Sequence, residues 1–134
     1  MDVGVQATGG APDPKGDAFN SDCPGRVILT HIAGRWGVLI LAALQDGPLR
    51  FYLLRDRIGG ISEKMLAQNL RALTRDGLLR REVEASIPPR VSYSLTEMGR
   101  ELTVPLQQML DWIAVRADDI VTAQRRHDEL HGGG

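Results

Sequence analysis

Three features of the sequence predict a mainly α-helical chain with one small β-hairpin, an α+β class. Apolar residues recur at helical spacing through Val27 to Leu44, Leu66 to Leu73 and Leu102 to Ile120. One stretch, Leu79 to Leu95, alternates in twos on either side of a double proline. Glycine or a polar capping residue stands at each change of period. The chain has 134 residues, 43% hydrophobic and 25% charged, which fits one domain around one core. Aromatics make up only 4%, so that core is aliphatic.

Residues 1–20 are Gly, Pro, Ala and Asp with little to bury, and a disordered tail is expected there. The folded domain is expected over residues 21–124. Pro24 suits the first turn of a helix, where its missing N–H costs nothing. Val27, Ile28 and Ile32 give that helix an apolar face, and Gly34 stops it. A second helix is expected from about Arg35, with Trp36, Leu39, Ile40, Ala43 and Leu44 at helical spacing, until Asp46-Gly47-Pro48 ends it. Leu49 to Ile58 then has room for a short extended piece and a two-turn helix. After Gly59-Gly60, Ser62 caps a helix placed at Glu63 to Asp76. Two short helices joined by a glycine turn make a helix-turn-helix.

Beyond Gly77, Leu79, Arg81 and Val83 pair in pattern with Val91, Tyr93 and Leu95, while Pro88-Pro89 cannot continue a ladder and marks a stiff hairpin tip. Thr96 reads as the cap of a long last helix. Its residues Leu102, Leu106, Met109, Ile113 and Ile120 step by four, three, four and seven, close to a heptad stripe. Pro105 is expected to bend this helix rather than end it. Residues 125–134 read as a fraying polar tail. Helix-turn-helix followed by a hairpin is the winged-helix order.

The net charge of −1 would argue against nucleic acid, but its distribution does not. Residues 50–90 hold nine Lys or Arg against five acids, a local +4. At about 100° per residue, Leu66, Leu70 and Leu73 share one face of the Glu63–Asp76 helix. Lys64, Gln68, Arg71 and Arg75 fall on the opposite face, a stripe of long donors without an acid. Such side chains bond base edges and phosphates. A solvated outer face is the alternative for an isolated helix; here the stripe holds no acid, and Arg80, Arg81 and Arg90 sit at the base of the hairpin. Ser62 at the helix start is the candidate phosphate contact, and Arg90 with the wing backbone is expected to add phosphate or minor-groove contacts. Double-stranded DNA is the expected partner.

Cys23-Pro24, Gly34-Arg35-Trp36, Gly47-Pro48-Leu49-Arg50-Phe51, Ile61-Ser62-Glu63-Lys64-Met65-Leu66, Asp76-Gly77-Leu78 and Pro88-Pro89-Arg90-Val91-Ser92-Tyr93-Ser94-Leu95-Thr96 together resemble the HxlR-type winged-helix transcription regulators of bacteria, related to the MarR type. The resemblance spans roughly residues 22–116, in order and spacing. It implies a homodimer formed through the N- and C-terminal helices and binding a near-palindromic operator; a repressor is the expected role. The apolar stripe of the last helix argues for a dimer independently, since a monomer would leave it exposed.

The resemblance also implies a sensing role for Cys23, since members of the family use a cysteine at this place to detect oxidants, quinones or other electrophiles. A helix N-terminus favours the thiolate; the alternative is an inert, packed residue. As the sole cysteine, Cys23 can form a disulfide only with its copy in a second subunit or with a small thiol. Trp36 and Trp112 are candidates for a pocket that takes a small aromatic effector, with ordinary packing as the alternative. His31, His127 and His131 do not make a convincing metal site, and neither metal nor cofactor is expected. No phosphate loop or paired catalytic carboxylates stand out, so no enzyme is expected. The longest apolar run, Val38 to Leu44, is too short to span a bilayer, and a cytoplasmic location without membrane contact is expected. A winged-helix interaction module that does not touch DNA is the competing reading; its mark would be an acidic or apolar recognition helix.

Overall fold

A computed structural model describes residues 14–132. After a single 3-10 turn at Pro14–Gly16 come helices α1 (Pro24–Ala33) and α2 (Gly37–Ala43), strand β1 (Leu49–Arg50), and helices α3 (Phe51–Arg57) and α4 (Glu63–Arg75). Strands β2 (Leu79–Glu84) and β3 (Arg90–Leu95) and the long helix α5 (Glu97–Leu130) complete the fold. The mainly helical winged helix-turn-helix predicted from the sequence is the fold observed.

The core is aliphatic. Ile40, Leu41, Leu54, Leu66, Leu70 and Leu73 are all fully buried, and each contributes about 1.5–3 kcal/mol of burial. Helix α2 sits at its centre. It starts at Gly37, not Arg35, because Trp36 is its cap and the chain turns by 63° between α1 and α2. It buries Val38 and Leu41 as well as Ile40, while Leu39 is exposed. A single apolar stripe does not describe it, because α1, α3, α4 and α5 pack around it from different sides.

The hairpin has the expected register, with Leu79 opposite Leu95, Arg81 opposite Tyr93 and Val83 opposite Val91. Unforeseen in the sequence, the short piece β1 pairs with β3, Leu49 opposite Tyr93, giving an antiparallel sheet in the order β1-β3-β2. At the wing tip the Ser86 hydroxyl donates to the Pro88 carbonyl at 2.6 Å and Ile87 is fully exposed.

Both ends of the chain carry more structure than their composition suggests. The part of the expected tail before residue 14 lies outside the described residues. Residues 14–20 are held against α1, where the Arg26 guanidinium donates to the carbonyls of Ala18 at 2.6 Å and Phe19 at 3.0 Å. At the other end α5 runs on to Leu130, since residues 123–130 include no Gly or Pro and are mostly good helix formers. His131 closes the helix by donating its backbone N–H to the His127 carbonyl at 3.0 Å. Pro105 lies inside α5 without ending it.

Helix α1 has no fully buried residue: Val27, Ile28 and Leu29 are exposed, and Ile32 packs on the core. Helix α5 buries only Gly99, Thr103 and Leu106, and leaves Met109, Trp112, Ile113, Val115, Ile120 and Val121 exposed. No single helix among the described residues is long and apolar enough to cross a membrane.

Candidate nucleic-acid interface

Helix α4 is fixed at its start by Ser62. The hydroxyl accepts the Met65 N–H at 3.1 Å, and the Ser62 carbonyl accepts the Leu66 N–H at 2.9 Å. Glu63 places negative charge in the first turn, where the helix dipole favours it. The same Glu63 receives the Arg55 guanidinium at 3.0 Å, which ties α3 to α4 across the turn. Asp56, with Glu63 adding to it, holds that guanidinium above its ordinary range. At the far end Asp76 caps the helix and Gly77, at φ +79°, reverses the chain in a conformation that a side chain would strain.

The buried and exposed faces of α4 fall where helical periodicity places them. Leu66, Leu70 and Leu73 are inside, and Lys64, Gln68, Arg71 and Arg75 are all exposed. None of these four makes an ion pair with another described residue. Arg71 and Arg75 share an open cavity of about 620 Å3 with Arg81 of β2, and its remaining lining is Ala67, Leu70, Thr74 and Tyr93. Lys64 and Gln68 do not line it. Ser62 is exposed, and its cap bond uses only the acceptor side of its hydroxyl, leaving the O–H as a donor. Arg90 is exposed at the start of β3, across the strand pair from Glu84.

The geometry fits one helix face presented to a nucleic acid with the wing beside it, and the comparisons with known proteins agree. The HxlR-like helix-turn-helix family model matches residues 31–120. The chain belongs to the HxlR-like helix-turn-helix family. The HTH-type transcriptional regulator YtfH of Escherichia coli (strain K12) is 44% identical over 110 residues, covering 82% of this chain and 87% of that one. A solved structure of a transcriptional regulator ytfH from Salmonella typhimurium is 46% identical, with a TM-score of 0.77, over 82% of this chain and 97% of that one. The redox regulator HypR in its oxidised form is 39% identical, with a TM-score of 0.64, over 69% of this chain and 96% of that one. This HxlR-like chain is thus a transcriptional regulator of the helix-turn-helix type.

Cys23 is the residue before α1, in extended conformation with Pro24 following, and only 4% exposed. It borders a cavity of about 580 Å3 whose walls include Pro24, Val27, Ile28, His31, Arg75 and Asp76. The sensor candidate therefore shares a cavity with the end of α4. His31 Nδ1 lies 2.6 Å from Asp76 Oδ2, with the two side chains only 24% and 14% exposed. This contact between α1 and α4 had no signal in the sequence, because it depends on how two distant segments cross. Trp36 packs against the core with the Arg35 guanidinium 4.8 Å from its ring centre, whereas Trp112 is 57% exposed on α5. Neither tryptophan borders the cavity at Cys23. His127 and His131 stack at 4.2 Å, and among the described residues no cluster of three metal-ligating side chains occurs.

Proposed function

We propose that the protein is a homodimeric repressor of a near-palindromic DNA operator, whose affinity is modulated by thiol modification at Cys23 or by a small-molecule effector. The acid-free donor stripe on the exposed face of α4 carries this reading. Lys64, Gln68, Arg71 and Arg75 face the major groove, Ser62 meets phosphate at the helix start, and Arg90 meets the backbone beside the wing. The exposed apolar faces of α1 and α5 supply the dimer interface. An aromatic effector would sit against Trp36 and Trp112 only once a second subunit completes a crevice around them.

The sensing part is supported by the naming of HypR as a redox regulator and by the position of Cys23 beside Arg75, Asp76 and His31. A group added to the sulfur occupies the cavity that α1 and the end of α4 line together. It thereby changes the seat of the helix that meets DNA.

Fluorescence anisotropy with duplex DNA from upstream of its own gene, at several salt concentrations, tests the regulator reading. Specific binding that weakens steeply with salt is expected. Failure to bind any duplex at low salt would favour the interaction-module reading. For the sensor, diamide or a quinone is expected to release DNA from the wild type and not from Cys23→Ser. Release from both would move the signal away from the thiol.

A further inference from the structure

We infer that Arg71, Arg75 and Arg81 together clamp one sugar–phosphate unit of bound DNA, so that sequence reading on α4 falls to Lys64 and Gln68. The inference rests on the DNA-binding reading above and divides its contacts by role. Arg71 and Arg75 lie four residues apart on α4, and Arg81 reaches the same cavity from β2. Three cations gather there, no carboxylate lines the cavity, and none of the three is paired within the described protein. Their mutual repulsion is relieved by one anion of matching size, and the guanidinium fork suits phosphate oxygens. Ala67, Leu70 and Tyr93 line the cavity as well and make much of its wall apolar, which suits a deoxyribose lying beside its phosphate. Thr74 completes the lining of the same cavity. Lys64 and Gln68 stand outside the cavity, nearer the N-terminal end of α4, the end at which a recognition helix meets base edges.

One phosphate shared by three arginines has a salt signature that three separate phosphates lack. Each neutralised phosphate contributes about 0.9 to the slope of log affinity against log salt. Anisotropy titrations use a duplex enriched from a random library by the wild-type protein, and a scrambled duplex. Each single Arg→Ala variant is expected to weaken both duplexes by the same factor, while the triple variant loses about 0.9 of slope in total. Gln68→Ala is expected to lose about tenfold on the enriched duplex with its slope unchanged, and nothing on the scrambled one. Slope losses that add toward about 2.7, unchanged slopes in the triple variant, or arginine effects confined to the enriched duplex overturn the clamp. A wild type that binds no duplex overturns the regulator reading itself, and the clamp with it. All four side chains are exposed, and thermal melts check that the variants stay folded.

Discussion

The contact between His31 and Asp76 joins α1 to the cap of α4 through two side chains that are mostly buried. Truncating either one leaves a polar partner without its bond, so His31→Ala and Asp76→Ala should each cost about 1–3 kcal/mol. Urea unfolding at a fixed protein concentration measures this, and an unchanged midpoint in both variants would show the contact to be idle. Thr96 does a parallel job on the other side of the same corner. Its hydroxyl accepts the Gly99 N–H at 3.1 Å and donates to the Gly77 carbonyl at 2.6 Å. Thr96→Ala should therefore cost about 1–2 kcal/mol in the same assay. Capping residues such as Ser62 and Thr96 were legible in the sequence because capping is a local matter of three or four residues. His31 with Asp76, and Arg81 with Arg71 and Arg75, were not, because each set is assembled by the crossing of separate elements.

Among the elements, α5 shows most clearly what periodicity can and cannot tell. Its stripe of Leu102, Leu106, Met109, Ile113 and Ile120 was readable, yet only the first part of the helix packs on the core of its own chain. The rest, with Met109, Trp112 and Ile113 at 43%, 57% and 44% exposure, remains uncovered within one subunit. If a second copy covers it, Ile113→Asp places a charge in that contact and should weaken the dimer by at least tenfold, about 1.4 kcal/mol. Sedimentation across a range of concentrations reads the shift, and a wild type that is itself monomeric at micromolar concentration overturns the dimer. The end of α5 is not legible in the sequence because a polar composition alone suits a frayed tail as well as a helix, whereas Ala, Gln, Arg and Glu favour helix. The pairing of β1 with β3 escaped it because a two-residue strand has no period to detect.

At the scale of the whole molecule, the overall charge of −1 conceals a basic middle between acidic ends. In the proposed two-fold dimer, the two α4 helices would meet successive major grooves about 34 Å apart. Lengthening the spacer between the operator half-sites by about 5 base pairs turns one half-site to the far side of the duplex. Binding should then fall to the level of a scrambled duplex, whereas adding a full turn should restore part of it; equal binding to all three spacings would exclude a rigid two-site dimer. The corner at Asp76 and Gly77 has a further consequence. It is held by α1 through His31 and by α5 through Thr96, and it lies about three turns from Lys64 and about two from Gln68. On the proposed reading, address and wiring occupy opposite ends of one helix. A descendant of this gene could acquire a new operator by changing the first end while inheriting its response to the old signal intact.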